Sequence, residues 1–110
     1  MNLSIDVQMK DEKHYITLAG EIDAYTAPEL KNKFMELAHL SEPYIVVDLT
    51  NVSYMDSTGL GVFIALLKAI KSSEGKLKFV GVSERIKRLF DITGLTEILN
   101  VNSHVEGGVK

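Results

Sequence analysis

A serine stands between an aspartate and a threonine, with two glycines close behind, in Asp56-Ser57-Thr58-Gly59-Leu60-Gly61. A hydroxyl in this setting can act as a nucleophile, help hold a nucleotide, cap a helix or receive a phosphoryl group. A hydrolase nucleophile elbow needs glycine two residues before and two after the serine; Gly59 supplies the second, but Met55 occupies the first. An aspartic-protease signature needs Asp, then Thr or Ser, then Gly, and here an extra residue intervenes. A dinucleotide fingerprint needs a third glycine, whereas Gly59-Leu60-Gly61-Val62-Phe63-Ile64 ends in isoleucine, and no Walker lysine follows. The catalytic patterns fail, which removes Ser57 as an attacking group.

The surrounding residues add no catalytic partner. His14, His39 and His104 are far apart in the chain and show no metal-ligand spacing. Asp23, Asp48 and Asp56 all fall near expected element ends, so a carboxylate cluster is open on sequence alone, with loop capping the simpler role for Asp48 and Asp56. Ser57 is expected to cap the helix that begins there. Gly59 and Gly61 each cost about 1 kcal/mol against alanine in a helix. Bare backbone at both positions is therefore expected to let something come close, the alternative being tight packing on a neighbouring strand.

The elements that must position these groups follow from periodicity. Leu3, Ile5, Val7 and Met9 alternate with polar residues as a strand with one buried face, and His14–Ala19 returns as its hairpin partner. Gly20 onward leaves the sheet, and Thr26-Ala27-Pro28-Glu29 has the form of a capping box, with Pro28 in the first turn. Leu30, Phe34, Leu37 and Ala38 mark the apolar stripe of a first helix, which Ser41-Glu42-Pro43 stops.

Tyr44–Leu49 is a nearly continuous apolar run, the pattern of a strand covered on both faces, and Thr50–Met55 links it to a second helix starting near Ser57. That helix is free of polar side chains from Leu60 to Leu67, so Leu60, Phe63 and Leu67 are assigned to the core. Leu77–Val82 is a further strand, and Ser83 caps a third helix packing through Ile86, Leu89 and Phe90, with Gly94 as its C′ residue. A short strand at Glu97-Ile98-Leu99 and a loose tail over about 105–110 complete the chain. The order β-β-α-β-α-β-α predicts one α/β domain over residues 1–110, with a mixed sheet opened by an antiparallel hairpin.

Bulk composition narrows the function class. The chain has 110 residues, no cysteine and a net charge of −3. Disulfides and thiolate metal sites are excluded, in keeping with a cytoplasmic protein. Lysine and arginine are interspersed with acidic residues, which argues against a nucleic-acid surface. The first residues lack a basic and apolar leader pattern, and no run of roughly 18 apolar residues suits a membrane span.

Three segments carry a family resemblance. Val52–Phe63, reading Val-Ser-Tyr-Met-Asp-Ser-Thr-Gly-Leu-Gly-Val-Phe, closely resembles the phosphorylation motif of STAS-domain anti-sigma factor antagonists of the RsbV type. Gly20–Pro28 resembles the family's passage from second strand to first helix, and Ser83-Glu84-Arg85 with Arg88–Leu95 its third-helix signature. The resemblance implies a STAS fold and a partner switch without cofactor or catalysis. The unphosphorylated antagonist binds an anti-sigma factor that is also a serine kinase (RsbW type), freeing a general stress sigma factor. That kinase uses ATP to phosphorylate the serine carried over to Ser57, with Thr58 a minor alternative, and the complex parts. A metal-dependent serine phosphatase restores the active form.

Asp23, Tyr25, Thr26, Asp56, Thr58, Gly59 and Gly61 are the expected partner contacts around Ser57. A phosphoryl group there adds about −1.5 to −2 charges. It is expected to meet free N–H groups at the helix N-terminus, opposed by Asp56. Competing assignments are a sporulation-type antagonist of the SpoIIAA kind, an unphosphorylated STAS subunit of a larger assembly, and a small nucleotide-binding or hydrolytic enzyme.

Overall fold

Alternating apolar residues at the start of the chain form an outer strand, and everything after the hairpin winds in one direction from it. A computed structural model describes residues 2–92 and 103–107. Strands β1 (Leu3–Lys10) and β2 (Lys13–Ile22) pair antiparallel, with Leu3 opposite Gly20 and Val7 opposite Ile16. Helix α1 (Ala27–Ala38), strand β3 (Tyr44–Met55), helix α2 (Ser57–Ser72), strand β4 (Lys76–Val82), helix α3 (Glu84–Ile92) and strand β5 (Ser103–Gly107) follow. The sheet order is β1-β2-β3-β4-β5, and every pairing after the hairpin is parallel. Successive right-handed crossovers stepping the same way along a sheet put their helices on one face.

The core accordingly lies between that face and the helices. Ile16, Leu18 and Ile22 of β2, Ile45, Val47 and Leu49 of β3, and Leu77 and Phe79 of β4 are buried against Leu30 and Phe34 of α1, Phe63 and Leu66 of α2, and Ile86 and Phe90 of α3. All four phenylalanines meet there. Phe63 lies 5.9 Å from Phe34, 5.2 Å from Phe79 and 6.2 Å from Phe90 between ring centroids. These separations fall in the range where tilted and edge-on rings attract. Leu60 and Leu67 are also core residues, as expected.

Several sequence expectations are corrected. β2 does not leave the sheet at Gly20 but runs to Ile22, because Gly20 sits at a register shift with φ +119°. A side chain there would be strained and would run into the Asn2 carbonyl. Thr50–Met55 is not a link, since β3 continues to Met55 and pairs Asn51, Val52, Tyr54 and Met55 with the end of β2. Among the described residues, helices cover the apolar run of β3 on one face only. Val46 is buried outside the main core cluster, while Tyr44 and Asp48 are half-buried on the open face.

Residues 103–107 form β5, where the sequence suggested a tail beginning near 105. The expected strand at Glu97–Leu99, the C′ role of Gly94 and residues 108–110 lie outside the described residues. Ser83 does cap α3, accepting the Ile86 N–H at 3.2 Å. Among the described residues no helix is long and apolar enough to cross a membrane.

The candidate phosphoacceptor site

Parallel pairing decides which loops share an end of the sheet. Ile22 and Met55, the last residues of β2 and β3, are register partners, and the Asp56 N–H donates to the Ile22 carbonyl at 3.4 Å. The turns into α1 and α2 therefore emerge side by side, bringing Asp23, Tyr25 and Thr26 to the same end as Asp56, Ser57 and Thr58.

The first turn is organised by a buried carboxylate. Asp23 is 5% exposed. Its Oδ1 accepts the N–H groups of Tyr25 at 2.9 Å and Thr26 at 3.1 Å. The Thr26 hydroxyl donates to the Glu21 carbonyl at 2.9 Å and accepts the Asp23 N–H at 3.0 Å. Thr26 is the N-cap residue of α1, but its side chain makes no cap bond, so the expected capping box with Glu29 does not form. Thr26 binds backward into the turn instead. Pro28 lies in the first turn of α1 as predicted. The Asp23 Oδ2 is buried and accepts no hydrogen bond from a described residue. Tyr25 is 85% exposed.

The second turn reverses the expected division of labour. The N-cap of α2 is Asp56, not Ser57: Asp56 Oδ1 accepts the Thr58 N–H at 2.9 Å. Its carbonyl accepts Gly59 N–H at 3.1 Å and Leu60 N–H at 3.3 Å. Ser57 is the first residue of the helix, exposed, and among the described residues nothing hydrogen-bonds its hydroxyl. The amides of Thr58, Gly59 and Leu60 are thus already engaged. A phosphoryl group on Ser57 does not meet a row of free N–H donors there, and it does meet the Asp56 carboxylate.

The two glycines have different reasons. Gly59 is buried, and a Cβ on it would stand 2.6 Å from Met55 Cγ and 2.8 Å from Ile22 Cγ2. Its bareness serves packing against the strand ends, so the expectation of close approach fails at Gly59. Gly61 is exposed, and a Cβ there would meet nothing within 4 Å. No internal contact requires its bareness, and a helix gains about 1 kcal/mol from alanine in place of glycine.

Gly61 and Thr58 also line a cavity of about 580 Å³ between α1 and α2, with Ala24, Ala27, Pro28 and Lys31 on its other wall. Lys31 carries no motif of its own in the sequence. The i, i+4 spacing of Ala27 and Lys31 in the first turns of α1 was the available signal.

Asp48 takes no part in the site. Its Oδ1 accepts the Thr50 N–H and hydroxyl at 2.9 and 2.6 Å within β3. The described residues contain no group of three or more acidic or histidine side chains able to hold a metal. His14 lies near the start of β2, eight residues from Ile22 and so about 26 Å away at ~3.3 Å per residue. His39 is the C-cap of α1.

Comparison with known proteins places this geometry in a lineage. The STAS domain model matches residues 4–108. The anti-sigma-B factor antagonist of Bacillus subtilis (strain 168) is 46% identical over 110 residues, spanning 100% of both chains. That of Listeria monocytogenes serovar 1/2a is 47% identical over 109 residues, 97% of this chain and 94% of its own. The crystal structure of an anti-sigma factor antagonist from Mycobacterium paratuberculosis superposes with a TM-score of 0.79 at 27% identity, covering 88% of this chain and 82% of that one. Matched over residues 4–108 by the family model and along its whole length by a relative's sequence, the chain belongs to the STAS domain family, among its anti-sigma factor antagonists.

Proposed function

We propose that this protein is a partner-switching anti-sigma factor antagonist whose switch is Ser57. Unphosphorylated, it binds an anti-sigma factor of the RsbW type through the end of the sheet that carries Asp23, Tyr25, Thr26, Asp56, Thr58 and Gly61, and so releases a general stress sigma factor. The bound anti-sigma factor, acting as a kinase with Mg-ATP, transfers a phosphoryl group to the Ser57 hydroxyl, and a metal-dependent serine phosphatase removes it. The protein is the substrate in this cycle and performs none of the chemistry.

One observation carries the proposal: the Ser57 hydroxyl is exposed and unbonded at the start of a helix already capped by its neighbour. Accepting a phosphoryl group there breaks no hydrogen bond of the fold. The added dianion lies beside Asp56, whose carboxylate already holds the Thr58 N–H. Burying that uncompensated charge against a partner costs on the order of 3–5 kcal/mol. Affinity then falls roughly a hundred- to a few thousand-fold with the fold unchanged.

Intact-mass measurement after incubation with the purified anti-sigma factor and Mg-ATP tests this. The expected result is one phosphoryl group on the native chain and none on Ser57→Ala. Equal labelling of the Ser57→Ala chain would place the acceptor elsewhere.

A further inference from the structure

β1 is the outermost strand of the sheet, and among the described residues nothing pairs with its far side. Asp11 and Glu12 turn the hairpin with φ of 54° and 66°, the left-handed pair of a type I′ loop, so Lys10 and Lys13 close it as a hydrogen-bonded pair. The alternation holds along the strand, and at its other end the Asn2 carbonyl accepts the Glu21 N–H at 2.9 Å. Ser4, Asp6, Gln8 and Lys10 therefore turn their backbone groups to β2. Leu3, Ile5, Val7 and Met9 turn theirs outward.

The usual guards of an exposed edge are missing here. β1 is 8 residues long, contains no proline and meets β2 without a register shift. Its side chains sort by face as well. Ile5 and Val7 pack partly against the core and Met9 is 63% exposed beside them, while Ser4, Asp6, Gln8 and Lys10 lie exposed on the helix-free face.

We propose that this edge is a self-association surface, on which β1 pairs antiparallel with β1 of a second copy about a two-fold axis through Val7. An axis perpendicular to the sheet keeps the helices of both copies on one side and sets outward-facing residues opposite one another. Centred on Asp6, it would bring two carboxylates face to face. Centred on Ile5 or Gln8, it would shorten the ladder. Centred on Val7, it pairs residues 4–10 throughout: Val7 meets itself, Ile5 meets Met9, Asp6 meets Gln8 and Ser4 meets Lys10.

No like charges stand opposite in that register, and the exposed Met9 is covered by Ile5 of the second copy. Ile5, Val7 and Met9 of the two copies exchange about six backbone hydrogen bonds, two for each opposed pair. This self-complementary pattern selects a second copy over an arbitrary extended peptide. The paired strands run in opposite directions, so the two Ser57 sites face opposite ends of the joined sheet and both stay open.

Hydrogen exchange read residue by residue at rising protein concentration tests the proposal, with sedimentation equilibrium on the same samples. The amides of Ile5, Val7 and Met9 are expected to gain at least about tenfold protection as the mass doubles, while those of Ser4, Asp6 and Gln8 stay held by β2 throughout. Val7→Pro removes the central outward donor without touching the β1–β2 ladder, and is expected to weaken association at least about tenfold. Gln8→Glu sets a carboxylate opposite Asp6 of the second copy, twice by symmetry, and is expected to weaken it about tenfold. Gln8→Lys is expected to tighten it severalfold. A native chain that stays monomeric at millimolar concentration would overturn the proposal, as would native association of Val7→Pro. Gln8→Glu and Gln8→Lys moving association in the same direction would overturn the register. Protection of Ile5, Val7 and Met9 only after another protein is added would overturn the second copy as occupant.

Discussion

The Asp56 carboxylate holds the Thr58 N–H at 2.9 Å across Ser57, so the serine sits beneath a cap to which it contributes nothing. Stability and switching are thereby divided between neighbours. Asp56→Ala is expected to cost about 1 kcal/mol, the usual loss of an N-cap, and Asp56→Asn far less. Ser57→Ala should stay within about 0.5 kcal/mol of the native chain. Urea denaturation of the three variants checks the division; a larger loss at Ser57 than at Asp56 would reverse it.

Gly59 and Gly61 should respond oppositely to the same substitution. Gly59→Ala drives a methyl into Met55 and Ile22, and overpacking of this kind costs about 1–3 kcal/mol. Gly61→Ala adds a methyl to open space and should stabilise by about 0.5–1 kcal/mol. Melting temperatures should therefore move by several degrees in opposite directions.

Ser57→Asp sets one permanent negative charge beside Asp56. It is expected to weaken binding of the anti-sigma factor by at least about tenfold, less than the full phosphoryl dianion. Amide chemical shifts of β1 and the β1–β2 turn should stay those of the native chain, since the change is local and charged, with no refolding. Shifts spreading through the hairpin would mean that the fold itself moves.

Phe63 joins α2 to the rings of α1, α3 and β4. Phe63→Ala should cost about 3–5 kcal/mol, a large share of the roughly 5–15 kcal/mol that holds a domain of this size together. A midpoint shift in urea with an unchanged slope would show the loss as one of packing.

The sequence made some of this architecture plain and concealed the rest for physical reasons. Helical and alternating periods marked α1, α3 and β1 because each has one apolar face, and an unbroken apolar run marked α2 as a buried helix. The far end of β3 read as a link because Thr50, Asn51, Ser53 and Tyr54 are exposed, and only pairing with the bulged end of β2 makes them a strand. Ser57 stood out because a hydroxyl followed by two glycines is unusual in a helix.

The cap was misassigned because Asp56 and Ser57 are both good N-cap residues, and backbone angles alone decide between them. Asp56 is extended, with φ −113° and ψ −168°. The two glycines looked equivalent for a similar reason. What a missing Cβ avoids depends on Met55 and Ile22, and no spacing rule supplies that. The α1–α2 groove stayed hidden because Ala27 reads as an ordinary helix former and Ala24 as a turn residue.

The sheet order also settles where this domain tolerates attachment. β1 starts, and β5 finishes, at the end of the sheet that carries Ser57: Leu3 lies opposite Gly20, and Gly107 opposite Val82. A fusion partner joined just before residue 3 or just after 107 would therefore crowd the acceptor serine. The turns at Asp11–Glu12, Glu42 and Glu74 sit at the other end, around the small pocket they share with Tyr44. A fluorophore or tether placed there would ride on the domain without entering its business end, which makes those turns the place from which to watch the switch.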